Sequence, residues 1–227
     1  MLLPAFHYFW PHLKQHVSIK KKIKATTKDL ISSVIRGQGF FINRKRIKGK
    51  VLLNVGCGRF PKKDFINLDY RWFPKIDICW NIVKKKYPLP YNSLEGIFTE
   101  HCLEHIPFES CAANLKEYYQ LLKPGGTVRI AVPDGEIYAD KYQQRKQDPS
   151  VKLPYSDGEE TGMISINRIF RSHGHLFIYD FETMKLLLTR AGFTNISKRS
   201  YKEGSDPRLL IDREDRSLES LYVEAIK

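Results

Sequence analysis

Cysteine is scarce in this 227-residue sequence, and its spacing suits neither a metal site nor a disulfide frame. Cys57, Cys79, Cys102 and Cys111 include no CxxC pair, and each lies in an apolar or strand-like context. Buried free thiols are the expectation. Long apolar runs are also missing. None approaches the ~18–20 residues that a spanning helix needs. The apolar start MLLPAFHYFWPHLKQH is broken by Pro4 and Pro11, has no basic residue ahead of its apolar part, and leads into no small-residue cleavage site. That is a poor signal peptide, so the expected compartment is the cytoplasm. Internal repeats and low-complexity tracts are absent too. With 42% hydrophobic and 28% charged residues, the chain suits one globular domain with a sizeable core plus an appendage.

Acids are almost missing from the first fifty residues. That stretch holds twelve Lys/Arg and only Asp29 against them, so it carries +11 of the net +13. The rest of the chain is nearly neutral. The asymmetry points to a polyanionic neighbour for the N-terminal segment. Phe6, Tyr8, Phe9 and Trp10 precede a predicted amphipathic helix over 18–36. Ile19, Ile23, Leu30 and Val34 form its apolar face, Lys20, Lys21, Lys24 and Lys28 lie off it, and Gly37 is a plausible stop. An anionic membrane surface bound through residues 1–36 is the first expectation for this segment. Nucleic acid ranks lower, because no RNA-binding module is visible. The third reading is a helix that packs its stripe on the domain and solvates its lysines. The sequence divides into a basic extension over 1–50 and a domain over 51–227.

From residue 51 onward strands and helices alternate. Strands are predicted at 51–56, 65–70, 76–82, 96–101 and 127–133, with a helix over about 107–122 and a Gly125-Gly126 turn after it. Residues 135–170 are polar and irregular and read as an insertion or lid. Asp180 caps a helix over 181–191 that Gly192 ends. Stretches 194–201 and 217–227 read as a final hairpin. This alternation predicts an α/β sheet covered on both faces.

Two nucleotide signatures are incomplete or absent. Gly56-Cys57-Gly58-Arg59-Phe60-Pro61 lacks the third glycine of a dinucleotide turn, and no GxxxxGK[ST] loop exists. Only eleven positions separate Gly58 from Asp69, too few for a helix that would set its N-terminus on a pyrophosphate. What remains is a turn that lets a ligand approach closely and an acid able to take two hydrogen bonds from a ribose diol. The ligand should have a ribose and no polyphosphate.

Six segments in order resemble the class I S-adenosylmethionine-dependent methyltransferases: LNVGCG (53–58), NLDY (67–70), WNIVKKKYPLPYNSLEGIF (80–98), EHCLEHI (100–106), LLKPGGTVRIAVPD (121–134) and GHLFIYDFETMKLLLTRAGF (174–193). The resemblance runs from about Val51 to Lys227. It extends to a subgroup with a short first turn, an HvLEH segment and a C-terminal ESLYVEA strand, which often accompanies polysaccharide or sugar modification. It implies a Rossmann-like fold with a mostly parallel seven-stranded sheet, a C-terminal antiparallel hairpin and helices on both faces. It implies S-adenosyl-L-methionine as cofactor, with contacts at Asn54, Gly56, Cys57, Gly58, Asp69, Tyr70, Asn81, Ile82, Glu100 and His101. Asn81 stands where the family often has an adenine-binding Asp, and Glu95-Gly96 where it often has Asp.

The resemblance also implies that His175 faces the acceptor and serves as general base, with His101 and His105 as other candidates. Glu104 and His105 are read alternatively as helix-capping, and His175 as a loop histidine bound to a carbonyl. His173, Arg171, Tyr179 and Arg216 are the expected substrate contacts, with Arg213 beside them. No metal is expected. The implied reaction is O-methylation of a sugar, glycan or lipid-linked saccharide. Alternatives are methylation of a nucleic acid or small metabolite, and a non-catalytic cofactor-binding scaffold.

Overall fold

The structure, a computed structural model, describes residues 38–84, 86–154 and 161–227. The helix expected over 18–36 lies outside the described residues.

The strands are β1 Gln38–Ile42, β2 Leu52–Val55, β3 Phe65–Asp69, β4 Ile78–Trp80, β5 Leu94–Glu100, β6 Leu122–Pro133, β7 Thr194–Arg199 and β8 Ser220–Ile226. The helices are α1 Arg44–Ile47, α2 Phe108–Leu121, α3 Gly135–Gln147, α4 Gly162–Arg171 and α5 Phe181–Ala191. All eight strands form one sheet in the order β1-β4-β3-β2-β5-β6-β8-β7. Strands β2 to β6 pair in parallel, while β1–β4, β6–β8 and β7–β8 are antiparallel. The α/β sheet, its parallel centre and the closing hairpin match the expectation.

Every residue of LLNV in β2 is buried, as a strand covered on both faces requires. On one face α2 and α5 place Leu115, Tyr118, Leu121, Met184, Leu187 and Leu188 against Leu53, Val55, Ile97, Val128 and Ile130. On the other, Leu209 packs on Leu52, Phe65 and Phe98. Helix α5 forms as its sequence predicts. Asp180 accepts a hydrogen bond from Thr183 N at 2.8 Å, and Gly192 ends the helix with a left-handed φ of 103°.

Three expectations are corrected. The sheet does not begin at residue 51: the segment read as part of the extension supplies β1, which pairs with β4 and makes an eighth, edge strand. The segment 135–170 is not irregular, because α3 and α4 lie within it. Helix α3 was hidden by its polarity, since Tyr138 is its one buried residue. Gly125 and Gly126 make no free turn. They sit inside β6 as a bulge that holds the chain end, with Gly125 N donating to Lys227 O and Lys227 N to Gly126 O, each at 3.0 Å.

The short link between β2 and β3 is a bare loop pinned by one side chain. Asn67, buried in β3, accepts from Lys62 N at 2.7 Å and donates to Lys62 O at 2.8 Å. Its own N–H donates to the buried Asp77 at 2.9 Å. Asp77 is neutralised from the basic segment, by Arg46 Nε at 3.1 Å and Lys50 Nζ at 3.5 Å. Part of the N-terminal positive charge is therefore structural.

Candidate active site

Strand order reverses beside β2: the chain passes from β2 to β3 and β4 on one side, then returns to β5 on the other. In open α/β sheets this is where a crevice opens beyond the carboxyl ends of the strands. The turn after β2 and the residues after β5 both end there.

Gly56 and Gly58 have φ of +68° and +51°, a region side chains avoid. A Cβ on Gly56 would lie 2.4 Å from Cys102 Sγ, so the turn has no room for one. Gly58 N donates to Asp69 Oδ2 and Arg71 N to Asp69 Oδ1, both at 2.8 Å. The acid and the turn are thus one unit. Burial pushes the Asp69 carboxyl above its ordinary value, partly offset by these two N–H groups. Burial also pushes the Cys57 thiol far up, with the Asp69 charge adding to it. Cys57 is therefore an inert wall of the turn. All four cysteines are free, as expected.

Two cavities meet at this point. One, of about 480 Å³, is lined by Asp69, Tyr70, Trp80, Asn81, Ile82 and Ile106 among others. The other, of about 430 Å³, is lined by Asn54, Gly58, Glu100, Glu104, Arg168, His173, His175, Arg213 and Arg216 among others. Both touch Gly56, His101 and His105. The first has an acid at a strand end, an exposed aromatic and an apolar flank, which suits an adenosine. The second is lined mostly by polar and charged residues, with Phe60, Phe98, Ile169 and Ile211 among them.

His101 follows β5 with a φ of +48°, uncommon for a residue with a side chain. Its Nε2 lies 2.8 Å from Ser220 Oγ, and that hydroxyl donates to Arg216 O at 2.7 Å. Since the serine proton is committed, His101 Nε2 is the donor. The 3₁₀ turn Leu103–His105 then carries Glu104 and His105. Leu176 N and Phe177 N both donate to Glu104 O, at 2.7 and 3.3 Å, which ties the loop holding His173 and His175 to this turn. His175 Nδ1 lies 2.7 Å from Ile169 O, so Nδ1 carries the proton and the lone pair sits on Nε2. The His105 and His175 rings meet edge to face, with centroids 4.9 Å apart.

The structure brings the predicted residues together with two exceptions. Tyr179 is fully buried, stacked on Phe177, and lines neither of these cavities. Its backbone bridges Asp134, which draws the ring into the core rather than towards a substrate. Arg171 is exposed at the end of α4 and also lines neither. The capping reading of Glu104 is corrected as well. Its side chain is fully buried, and Pro107 at the start of α2 makes no side-chain cap. The two retained arginines are already paired, Arg213 with Asp215 and Arg216 with Glu219. Arg213 also lies over the Phe60 ring, 4.0 Å from its centroid, and its N–H donates to Glu100 Oε1 at 2.9 Å. Sequence reasoning missed Tyr138, Arg168 and Ile169, which α3 and α4 bring to the second cavity. Nothing local marks them, because their approach depends on how the two helices pack.

Residues 40–198 match the methyltransferase domain family, well over half of the chain. The chain belongs to that family. Among solved structures it is similar to a SAM dependent methyltransferase from Archaeoglobus fulgidus, with 18% identity, 88% of this chain and 95% of that one covered, and a TM-score of 0.48. It is also similar to an S-adenosylmethionine dependent methyltransferase from Mesorhizobium loti, with 16% identity, 80% and 93% covered, and a TM-score of 0.46. No curated protein matches the chain. The site's own geometry fits S-adenosylmethionine: the Gly56 turn, which has no room for a Cβ beside Cys102, borders both cavities, and Asp69 keeps acceptor capacity beyond its two backbone bonds.

Proposed function

We propose that this methyltransferase acts on a hydroxyl of a sugar or glycan, free or lipid-linked. The observation that carries this reading is the polar cavity beside the Gly56 turn, where His101, Glu104, His105 and His175 gather with Glu100 and Arg168. When bound, S-adenosylmethionine supplies an electrophilic methyl group that an acceptor oxygen attacks in line, the sulfur keeping the electron pair of the C–S bond.

Asp69 would hold the ribose, Tyr70, Asn81 and Ile82 the adenine side, and Asn54, Gly56, Cys57 and Gly58 the amino-acid part, with Glu100 and His101 bordering the reacting centre. Asn81 Oδ1 already accepts from Val83 N at 3.0 Å, and its remaining acceptor capacity is available to an exocyclic amine. His175 offers the Nε2 lone pair to the acceptor hydroxyl, and His173 and Arg216 border the sugar. Alignment of acceptor and methyl, with water excluded, supplies the greater part of the rate.

The test is a methyl-transfer screen of the full chain against sugar nucleotides, glycans, RNA and small amines. A methylated sugar hydroxyl is the expected product. Transfer to RNA or an amine alone would sink the acceptor assignment. His175→Ala is expected to lower turnover by about 10²-fold or more and to leave cofactor affinity unchanged. Unchanged turnover would remove His175 from the chemistry.

A lipid-linked acceptor also gives the basic segment a role. In this reading the enzyme is cytoplasmic and sits at an anionic membrane face through residues 1–36. Among the described residues no helix is long and apolar enough to cross a membrane. Full-length protein should sediment with anionic vesicles and a chain lacking residues 1–36 should not. Equal sedimentation of both would exclude this role.

A further inference from the structure

The geometry points to a divalent transition-metal site formed by Glu104, His105 and His175 at the mouth of the polar cavity. This rests on the acceptor reading above for its purpose, but not for its existence.

Ring nitrogens of His105 and His175 and a carboxylate oxygen of Glu104 all lie within 4.8 Å of one another. Around a tetrahedral zinc with bonds of about 2.0–2.1 Å, neighbouring ligand atoms would sit about 3.4 Å apart. Small side-chain rotations close that gap. Two imidazoles and one carboxylate, with a coordination position left open, are a common set for a catalytic divalent ion.

The independent observation is the state of Glu104. Its side chain is fully buried, and neither oxygen accepts a hydrogen bond. A buried carboxylate without hydrogen bonds, faced by two imidazoles, is costly while those rings are neutral, and such groups are normally paired or bound to a metal. Its neighbours are arranged as acceptors rather than donors. His101 donates through Nε2 to Ser220, so a neutral ring turns its Nδ1 lone pair towards Glu104 Oε1, 3.3 Å away. His105 has Nδ1 facing Gly174 O at 3.4 Å and Nε2 facing Glu104 Oε1 at 3.6 Å. His175 has its Nδ1 proton committed to Ile169 O. A backbone carbonyl on the far nitrogen is the usual way to fix the tautomer and orientation of a metal-binding histidine. Lone pairs and a negative charge therefore converge where a cation would balance them.

Strain supports the same reading. His101, His173 and Gly174 all have positive φ, at 48°, 60° and 79°. Two of the three are side-chain-bearing residues, and the backbone holds these conformations at the point where the two histidine segments meet. A cation in this place would polarise the acceptor hydroxyl and make its proton easier to lose. In that state the ion takes the Nε2 lone pair, so His175 serves as a ligand in place of the base of the metal-free reading, and the acceptor proton leaves to solvent at the cavity mouth.

The test uses untagged full-length protein, freed of metal with a chelator and titrated with Zn²⁺ by calorimetry and with Co²⁺ by visible absorption. One tight equivalent per chain is expected, together with a Co²⁺ spectrum of low coordination number. Glu104→Gln, which keeps the shape of the buried side chain, should weaken that equivalent by about 100-fold or more, since even outer partners of ligands cost 10–100-fold. The exposed His105→Gln should do the same, while His173→Gln should keep the site. Both lesioned variants are checked for folding by circular dichroism. Wild-type protein without the equivalent, or both lesioned variants binding as tightly as wild type, would overturn the proposal. The titration needs neither cofactor nor acceptor. Failure to bind S-adenosylhomocysteine while the metal site stands would count against the methyl-transfer reading alone.

Discussion

Arg129→Ala is expected to destabilise the fold by about 3–5 kcal/mol, the cost of breaking a buried ion pair by removing one partner. For a chain of this size that lowers the melting temperature by about 6–20 °C. Arg129 lies in the middle of β6, with its side chain fully buried. All five of its N–H groups are used. Nε and Nη2 form a fork on Asp212 at 2.8 and 2.7 Å, Nη1 reaches Glu224 Oε1 at 3.1 Å and Glu203 O at 2.8 Å, and Nη2 also reaches Ser200 O at 3.0 Å. Burial alone would push the guanidinium pKa down, but Asp212 and Glu224 outweigh it and hold it above its ordinary value. Removing the cation leaves two buried carboxylates without their main counter-charge. Among the described residues, Glu224 would keep Ser205 and the half-buried Arg199, and Asp212 would keep Lys202 N alone. Thermal unfolding of the two proteins at one pH measures the effect, and a loss below about 1 kcal/mol would contradict this reading of the network.

The consequence extends to the site. The network ties β6 and β8 to the segment 200–212, which carries Ile211 and leads directly to Arg213 and Arg216 at the polar cavity. Arg129 is thus a remote support for one wall of the polar cavity, and its loss should loosen that wall before it unfolds the sheet.

Asp69→Ala is expected to weaken S-adenosylhomocysteine by about 100-fold or more. Each hydrogen bond to a charged group is worth about 1.5–3 kcal/mol, and a ribose diol would make two. The substitution also frees Gly58 N and Arg71 N, so the glycine turn loses its anchor. Asp69→Asn separates the two effects, because it keeps the shape and one acceptor oxygen while removing the charge, and an intermediate loss is expected. A pH dependence follows with a defined sign. Burial raises the Asp69 pKa, so the carboxylate is lost at a higher pH than an ordinary aspartate. Affinity should fall as pH descends towards that raised value, and Asp69→Asn should not show the fall. Near-wild-type affinity in folded Asp69→Ala, confirmed by circular dichroism, would remove Asp69 from the cofactor site.

Local signals made the central sheet and the first turn legible. LLNV is a strand buried along its whole length, Gly56 and Gly58 bracket a turn of positive φ in which Gly56 has no room for a Cβ, and Asp69 ends the next strand within a few residues. Asp180 and Gly192 marked α5 by capping chemistry that depends on neighbours in sequence. What stayed hidden depends on distant partners. Strand β1 acquires its meaning from β4, and its basic surroundings suggested an appendage. Arg46 and Lys50 counted towards the basic segment's charge, and their partner Asp77 lies far along the sequence. Helix α3 has too few buried positions for periodicity to report it. At the site, the histidines of EHCLEHI and of the later loop were visible as candidates. That Glu104 is buried between them is a product of the loop's hydrogen bonds to Glu104 O, which no spacing encodes.

The most direct measurement is calorimetric titration of the full chain with S-adenosylhomocysteine, with S-adenosylmethionine as competitor. One equivalent bound per chain, displaced by S-adenosylmethionine and lost in Asp69→Ala, is the predicted result. A well-folded wild-type protein that binds neither compound would contradict the account.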